Sequence, residues 1–221
     1  MVGLKLDDLK SWKRLSCLIA IFGGLQFIII TIIAAIFFYP DGYSFTKDYI
    51  SYLGTTVNVR TGSNNLISSV LFAVTCVIVG LSLIPFWIVC LKIFDDNIIT
   101  KFFSYIGSLL GLISSPLLMG VGIFPGNTHS FEHAFSATYF FLSFAGAIFF
   151  YSIAILLKKD YSNIYAIVGF FFSIIVGLII LRIFIQYNPI IQKVIVYGYV
   201  LWAAFQITKI WKFIDLENKD Q

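Results

Sequence analysis

The stretch His129-Ser-Phe-Glu-His133 holds both histidines of the chain. Residues four apart share one face of a helix, so His129 and His133 could ligate a single metal ion. Glu132 would stand beside them as a general base on a bound water. The spacing is that of the H-x-x-E-H zinc peptidases, but the match covers five residues and nothing else in the chain fits that class. A zinc site of another kind needs a third ligand on the same side of the molecule. Asp48 and Asp41 are the candidates. The same residues also read as a plain helix start. Pro125 and Gly126 end the preceding helix, Asn127 or Thr128 caps the next one, and Glu132 suits its first turn. Both histidines would then bond headgroups, water or a neighbouring loop.

Two other stretches carry polar side chains in an apolar setting. In "YPDGYSFTKDYISYLG" (39–54), Pro40, Asp41 and Gly42 mark a turn. Phe45, Tyr49, Ile50, Tyr52 and Leu53 then alternate with Thr46, Lys47, Asp48 and Ser51. That mixture predicts a short amphipathic helix lying on the membrane surface over 43–54, acting as an anchor or as a lid that presents Asp48 and Ser51 to a site beneath it. Arg182 falls near the end of an apolar run. It needs a partner there, and Asp48, Asp41 and Glu132 are the candidates; otherwise it snorkels to the headgroups or holds a lipid phosphate. The candidate catalytic residues are therefore Asp48, Ser51, Glu132 and His133. Arg182 and Tyr49 are the candidate substrate-binding residues, and His129, His133 and Asp48 the candidate zinc ligands.

The elements that must position these groups are membrane helices. The chain has 221 residues, 59% of them hydrophobic and only 12% charged, with a mean hydropathy of +0.93. A single water-soluble core cannot bury that much apolar surface. Six apolar runs stand out, at about 15–38, 66–91, 102–124, 134–157, 164–185 and 194–210. Each is long enough to cross the roughly 30 Å hydrocarbon layer as a helix. The expected fold is all-α, one six-helix transmembrane domain over 15–210. It is flanked by an N-terminal segment 1–14 and a C-terminal tail 211–221, with a long loop 39–65 after the first helix. The first run is too long for a signal-peptide core and is expected to stay as a helix.

Eleven of the fifteen Lys and Arg residues fall on the side of the two termini. Lys47, Arg60, Arg182 and Lys193 fall on the other. The positive-inside rule then places both termini in the cytoplasm of a plasma-membrane protein, so all three polar stretches face outward. The net charge of +4 is spread thinly, and no basic run points to nucleic acid. Cys17, Cys76 and Cys90 show neither metal spacing nor a disulfide framework. Gly107 and Gly111, with Ser114, Ser115, Gly120 and Gly122, read as positions of close helix approach.

The outer stretches resemble a known family. Tyr39-Pro40, Ile50-Ser51-x-Leu53-Gly54, Gly122-x-Phe124-Pro125 and His133 at the start of the fourth helix are similar to the domain of unknown function 998 family, small six-helix membrane proteins of archaea and bacteria. His129 lies outside that pattern. A more distant similarity, the "IS-x-x-G" loop and a helix-opening histidine, is to the Frag1/DRAM/Sfk1 membrane proteins. It implies lipid remodelling or lipid organisation. Three functions remain open. They are an outward-facing lipid-handling protein (as an enzyme, a hydrolase), an accessory subunit beside other membrane proteins, and a small transporter. The last lacks the polar or broken midplane helices that such proteins use.

Overall fold

The computed structural model describes residues 6–95, 97–159, 161–183 and 186–217. The described residues are 79% helical and include no strands. Six helices carry the architecture: α1 (Leu6–Ile33), α2 (Leu66–Ile93), α3 (Ile98–Ile123), α4 (Ser130–Leu156), α5 (Asn163–Ile180) and α6 (Pro189–Glu217). All six are long and apolar enough to cross a membrane. A π-helical turn, Ala34–Phe38, extends α1. Large side chains such as Phe22, Ile29, Phe37, Ile167 and Phe171 point outward and are exposed. A continuous apolar surface of that kind belongs against lipid.

Helices adjacent in sequence pack side by side from α1 to α5, and α6 returns against α1. Close approach is built on small residues. A Cβ on Gly111 would stand 2.2 Å from the Trp87 indole, and one on Gly107 2.8 Å from the Tyr151 ring. The glycines expected to mark close contact do so. Polar clasps add to the packing. Gln26 of α1 accepts a 2.7 Å hydrogen bond from Thr75 Oγ1 of α2 and donates one of 3.1 Å to its carbonyl. Such interhelical bonds are worth roughly 0.6–2 kcal/mol in lipid. Helix α6 meets α4 differently. The backbones stand apart and aromatic rings fill part of the gap, with Tyr199 stacked on Phe144 at 4.3 Å.

The α1–α2, α3–α4 and α5–α6 connections lie together at one end, called here the cap end. Thr56 bonds Asn127 across the first two, and Tyr49 stacks on Tyr187 across the first and third, centroids 5.7 Å apart. At the opposite end, Arg14 of α1 lies over the Trp211 ring of α6. The expected terminal segments 1–14 and 211–221 fall partly outside the described residues. Among the described residues helix runs from Leu6, well before the apolar run.

Two expectations need correction. The fifth helix does not reach residue 185. It stops at Ile180, and Arg182 takes a left-handed backbone (φ 57°) just beyond it. The N–H of Arg182 bonds the Ile179 carbonyl at 2.9 Å and that of Ile183 the Leu178 carbonyl at 2.9 Å. These two bonds close a helix with the left-handed cap that normally takes glycine. Residues 184 and 185 lie outside the described residues. The segment 43–54 also forms no surface-lying α-helix. Its one regular element is a 3-10 turn, Ile50–Gly54, whose Ile50, Leu53 and Gly54 are buried.

Candidate functional site

The loop 39–65 is a folded cap, held by its own polar residues. Asp48 is wholly buried. Its Oδ2 accepts from the Ser44 N–H at 2.7 Å and pairs with Arg60 Nη2 at 3.1 Å. Arg60 also donates to the Gly42 carbonyl at 2.7 Å. Asn58, likewise fully buried, donates to the Pro40 carbonyl and accepts from the Arg60 N–H. The cap is fastened to α2, where Ser68 and Ser69 donate to the carbonyls of Leu53 and Gly54, each at 2.9 Å. A Cβ on Gly54 would sit 2.5 Å from the Phe72 ring, so only glycine fits that turn.

The cap is fastened to α6 as well. Lys193, 2% exposed, donates to the carbonyls of Asp48 and Pro189. Its ammonium lies over the rings of Tyr43 and Phe45, 5.3 and 5.0 Å from their centroids. A buried ammonium is tolerable only with such partners. Gln192 Oε1 accepts the Ile50 N–H at 2.7 Å.

Beneath the cap, between α4, the α5 terminus and α6, lies a polar cavity of about 290 Å³. Tyr49, Ser51, Tyr52, His133, Arg182, Tyr187 and Gln192 give it its polar wall. Four of the expected site residues, Tyr49, Ser51, His133 and Arg182, thus meet in one place. Burial raises the phenols of Tyr52 and Tyr187 above their ordinary range, so both present neutral hydroxyls. No carboxylate stands among the described lining residues, and exposed Arg182 is the one residue among them with a permanent positive charge.

The histidines part company. His133 Nδ1 donates to the Phe124 carbonyl at 2.9 Å. A carbonyl only accepts, so Nδ1 carries the proton and a neutral ring keeps its lone pair at Nε2. His129 is exposed and lies at the N-cap of α4, its Nδ1 3.0 Å from the Thr128 hydroxyl. It makes no side-chain capping bond. Asn127 and Thr128 do not cap α4 either, because Asn127 is spent on Thr56 and Thr128 turns back to Pro125. Glu132 is exposed in the first turn and stands outside the cavity wall.

Of the candidate partners for Arg182, Asp48 is paired with Arg60 and Asp41 accepts from Thr61 and Ser63. The expected zinc trio is not assembled. Asp48 is tied to Ser44 and Arg60, His133 to Phe124, and His129 lies on the surface. No group of three or more His, Cys, Asp or Glu placed to hold a metal ion occurs among the described residues.

A second cavity runs on into the bundle. It has a volume of about 160 Å³, is almost wholly apolar, and is bounded by α1, α2, α3, α4 and α6. Ser51, Ala137, Phe141 and Gln192 belong to the walls of both cavities and form the partition between them. The Gln192 Nε2 to Ser51 Oγ contact across this partition is 3.5 Å, at the limit of a hydrogen bond.

Arg60, Lys193, Gln192 and Tyr187 were not singled out by the residue pattern. The one signal for the first two was their place among the four cations of the charge-poor side. Comparison with protein-family models, with curated proteins and with solved structures finds no match.

Proposed function

We propose that the protein handles lipid, binding a lipid headgroup in the polar cavity, at the outer leaflet of the plasma membrane. One observation carries this reading. A cavity with polar side chains and Arg182 along its described wall, and no carboxylate among those residues, abuts an apolar cavity inside a membrane-spanning bundle, and the two share a partition. Amphiphiles are polar at one end and apolar at the other in the same way. The lipid phosphate or carboxylate would lie on Arg182, with the hydroxyls of Tyr49, Ser51 and Tyr52 as further donors. Outward orientation rests on the Lys and Arg count, which favours the termini side as cytoplasmic.

The distant resemblance to the Frag1/DRAM/Sfk1 membrane proteins, which implies lipid remodelling or lipid organisation, supports the same reading. Of the residues that carry it, Ser51 and His133 line the cavity and Gly54 sits against Phe72.

A hydrolase is a second reading, favoured by His133, whose Nε2 lone pair is set by the Phe124 bond while Ser51 lines the same cavity. In that case His133→Ala abolishes turnover of a lipid ester and leaves lipid binding intact.

Native mass spectrometry of the protein in mild detergent tests the binding reading. The expected result is a retained anionic lipid that Arg182→Gln no longer holds. Protein that stays bare when supplied with anionic lipid, and remains a stoichiometric member of a larger assembly, would favour the accessory-subunit reading instead.

A further inference from the structure

The apolar cavity extends along α6 from Gln192 to Ile207, about 22 Å at 1.5 Å per residue. One leaflet of a bilayer offers about 15 Å of hydrocarbon, half of the roughly 30 Å core. The cavity is therefore as deep as a long alkyl chain needs, and buried side chains such as Phe27, Cys76, Leu83, Phe144 and Ile207 shelter most of its wall, while exposed Leu25 and Ala204 leave one side open. Its walls are held open by rings. Tyr199 is fixed by donating to the Phe141 carbonyl at 2.6 Å and by stacking on Phe144. Across this gap the α4 and α6 backbones do not close up. The partition above is thin. Its polar members, Ser51 and Gln192, are linked only by the 3.5 Å contact, whereas Gln192 is firmly fixed to Ile50. Turning the Ser51 hydroxyl away breaks that contact and leaves the rest of the cap in place.

Resting on the lipid reading above, we propose that the ligand is a single-chain anionic amphiphile whose chain passes the Ser51–Gln192 partition and lies inside the bundle. Its headgroup stays on Arg182. The chain end reaches the region of Leu83, Phe144 and Ile207, three residues of the deep wall. A partition of four side chains suits one chain, and a second chain of a diacyl lipid would have to remain outside. The cavity then measures chain length as the Arg182 wall selects charge.

The test uses the intact protein in detergent and an alkyl phosphate carrying a diazirine at the end of its single chain. After irradiation the labelled residues are mapped by peptide mass spectrometry. The expected labels are Leu83, Phe144, Ile207 and their neighbours in the deep wall. Filling the slot with Ala203→Phe, or with Val196→Phe should the first variant fold poorly, is expected to abolish these labels. Labels confined to lipid-facing residues such as Phe22 and Phe171 in the unaltered protein would overturn the proposal. A probe of the same chain with a neutral glycerol head separates the two readings. Interior labelling by both probes alike keeps the chain slot and removes the anionic-headgroup reading. Phosphate-selective binding with exterior labels only does the reverse.

Discussion

Ile50 and Gln192 are joined by a 2.7 Å hydrogen bond from the backbone N–H of Ile50 to Oε1 of Gln192, across 142 residues of sequence. Both residues are buried. This bond sets the floor of the polar cavity, because the next residue, Ser51, faces Gln192 across the partition. Replacing Gln192 with leucine keeps much of the volume and orphans a buried N–H. An unsatisfied buried donor costs about 1–3 kcal/mol. Gln192→Leu should lower the melting temperature in detergent, while the exposed neighbour Val194→Ala should leave it nearly unchanged. Equal melting of the two variants would show that the cap does not depend on α6.

The buried carboxylate of Asp48 needs Arg60. Arg60→Met leaves that charge without its ion-pair partner, and a hydrogen bond to a charged group is worth about 1.5–3 kcal/mol. Asp48→Asn in the same background removes the orphaned charge and should recover part of the loss. The measure is a double-mutant cycle of chemical unfolding. Strict additivity of the two changes would mean that the pair does not hold the cap.

Two glycines of the bundle should respond in opposite ways. Gly111→Ala drives a Cβ to within 2.2 Å of the Trp87 indole, and overpacking of this kind costs about 1–3 kcal/mol. Around Gly177 of α5 a Cβ meets nothing within 4 Å. Gly177→Ala should therefore be neutral or stabilising by up to about 1 kcal/mol, from helix propensity alone. Thermal melts of the two variants side by side decide the point.

The cap should carry an acid-sensitive contact. Hydrogen bonds from Ser63 and Thr61, and the nearby Arg60, hold Asp41 below its ordinary value of 3.8. A carboxylate with a depressed folded value stabilises the fold at a pH above the unfolded value. That contribution is lost as pH falls through the folded value. The melting difference between the unaltered protein and Asp41→Asn should thus be constant from neutral pH down to about 4 and shrink below it. A difference that does not change with pH would remove the charge from the account.

The sequence disclosed its helices because lipid imposes a crude requirement: some twenty apolar residues in a row. It also brought Tyr49, Ser51, His133 and Arg182 to one end, since alternating crossings place the odd-numbered loops together. The partners within that end were less legible. Arg60, not Arg182, neutralises Asp48, because the choice depends on how 39–65 folds back on itself through Asn58 and Ser44. The end of α5 was misplaced since its left-handed cap is an arginine, where a glycine would have signalled the stop. The apolar cavity left no trace in the residue pattern. It exists because Tyr199 and Phe144 hold α6 off α4, and a lining of Val, Phe and Ala in a cavity reads the same as one in a packed core.

Headgroup selectivity tests the central claim most directly. Binding of two lipids with identical chains, one anionic and one zwitterionic, should be measured on the unaltered protein and on Arg182→Gln. The account predicts preference for the anionic lipid in the first and loss of that preference in the second. Arg182→Gln that folds normally and keeps the preference would show that the polar cavity is not the headgroup site.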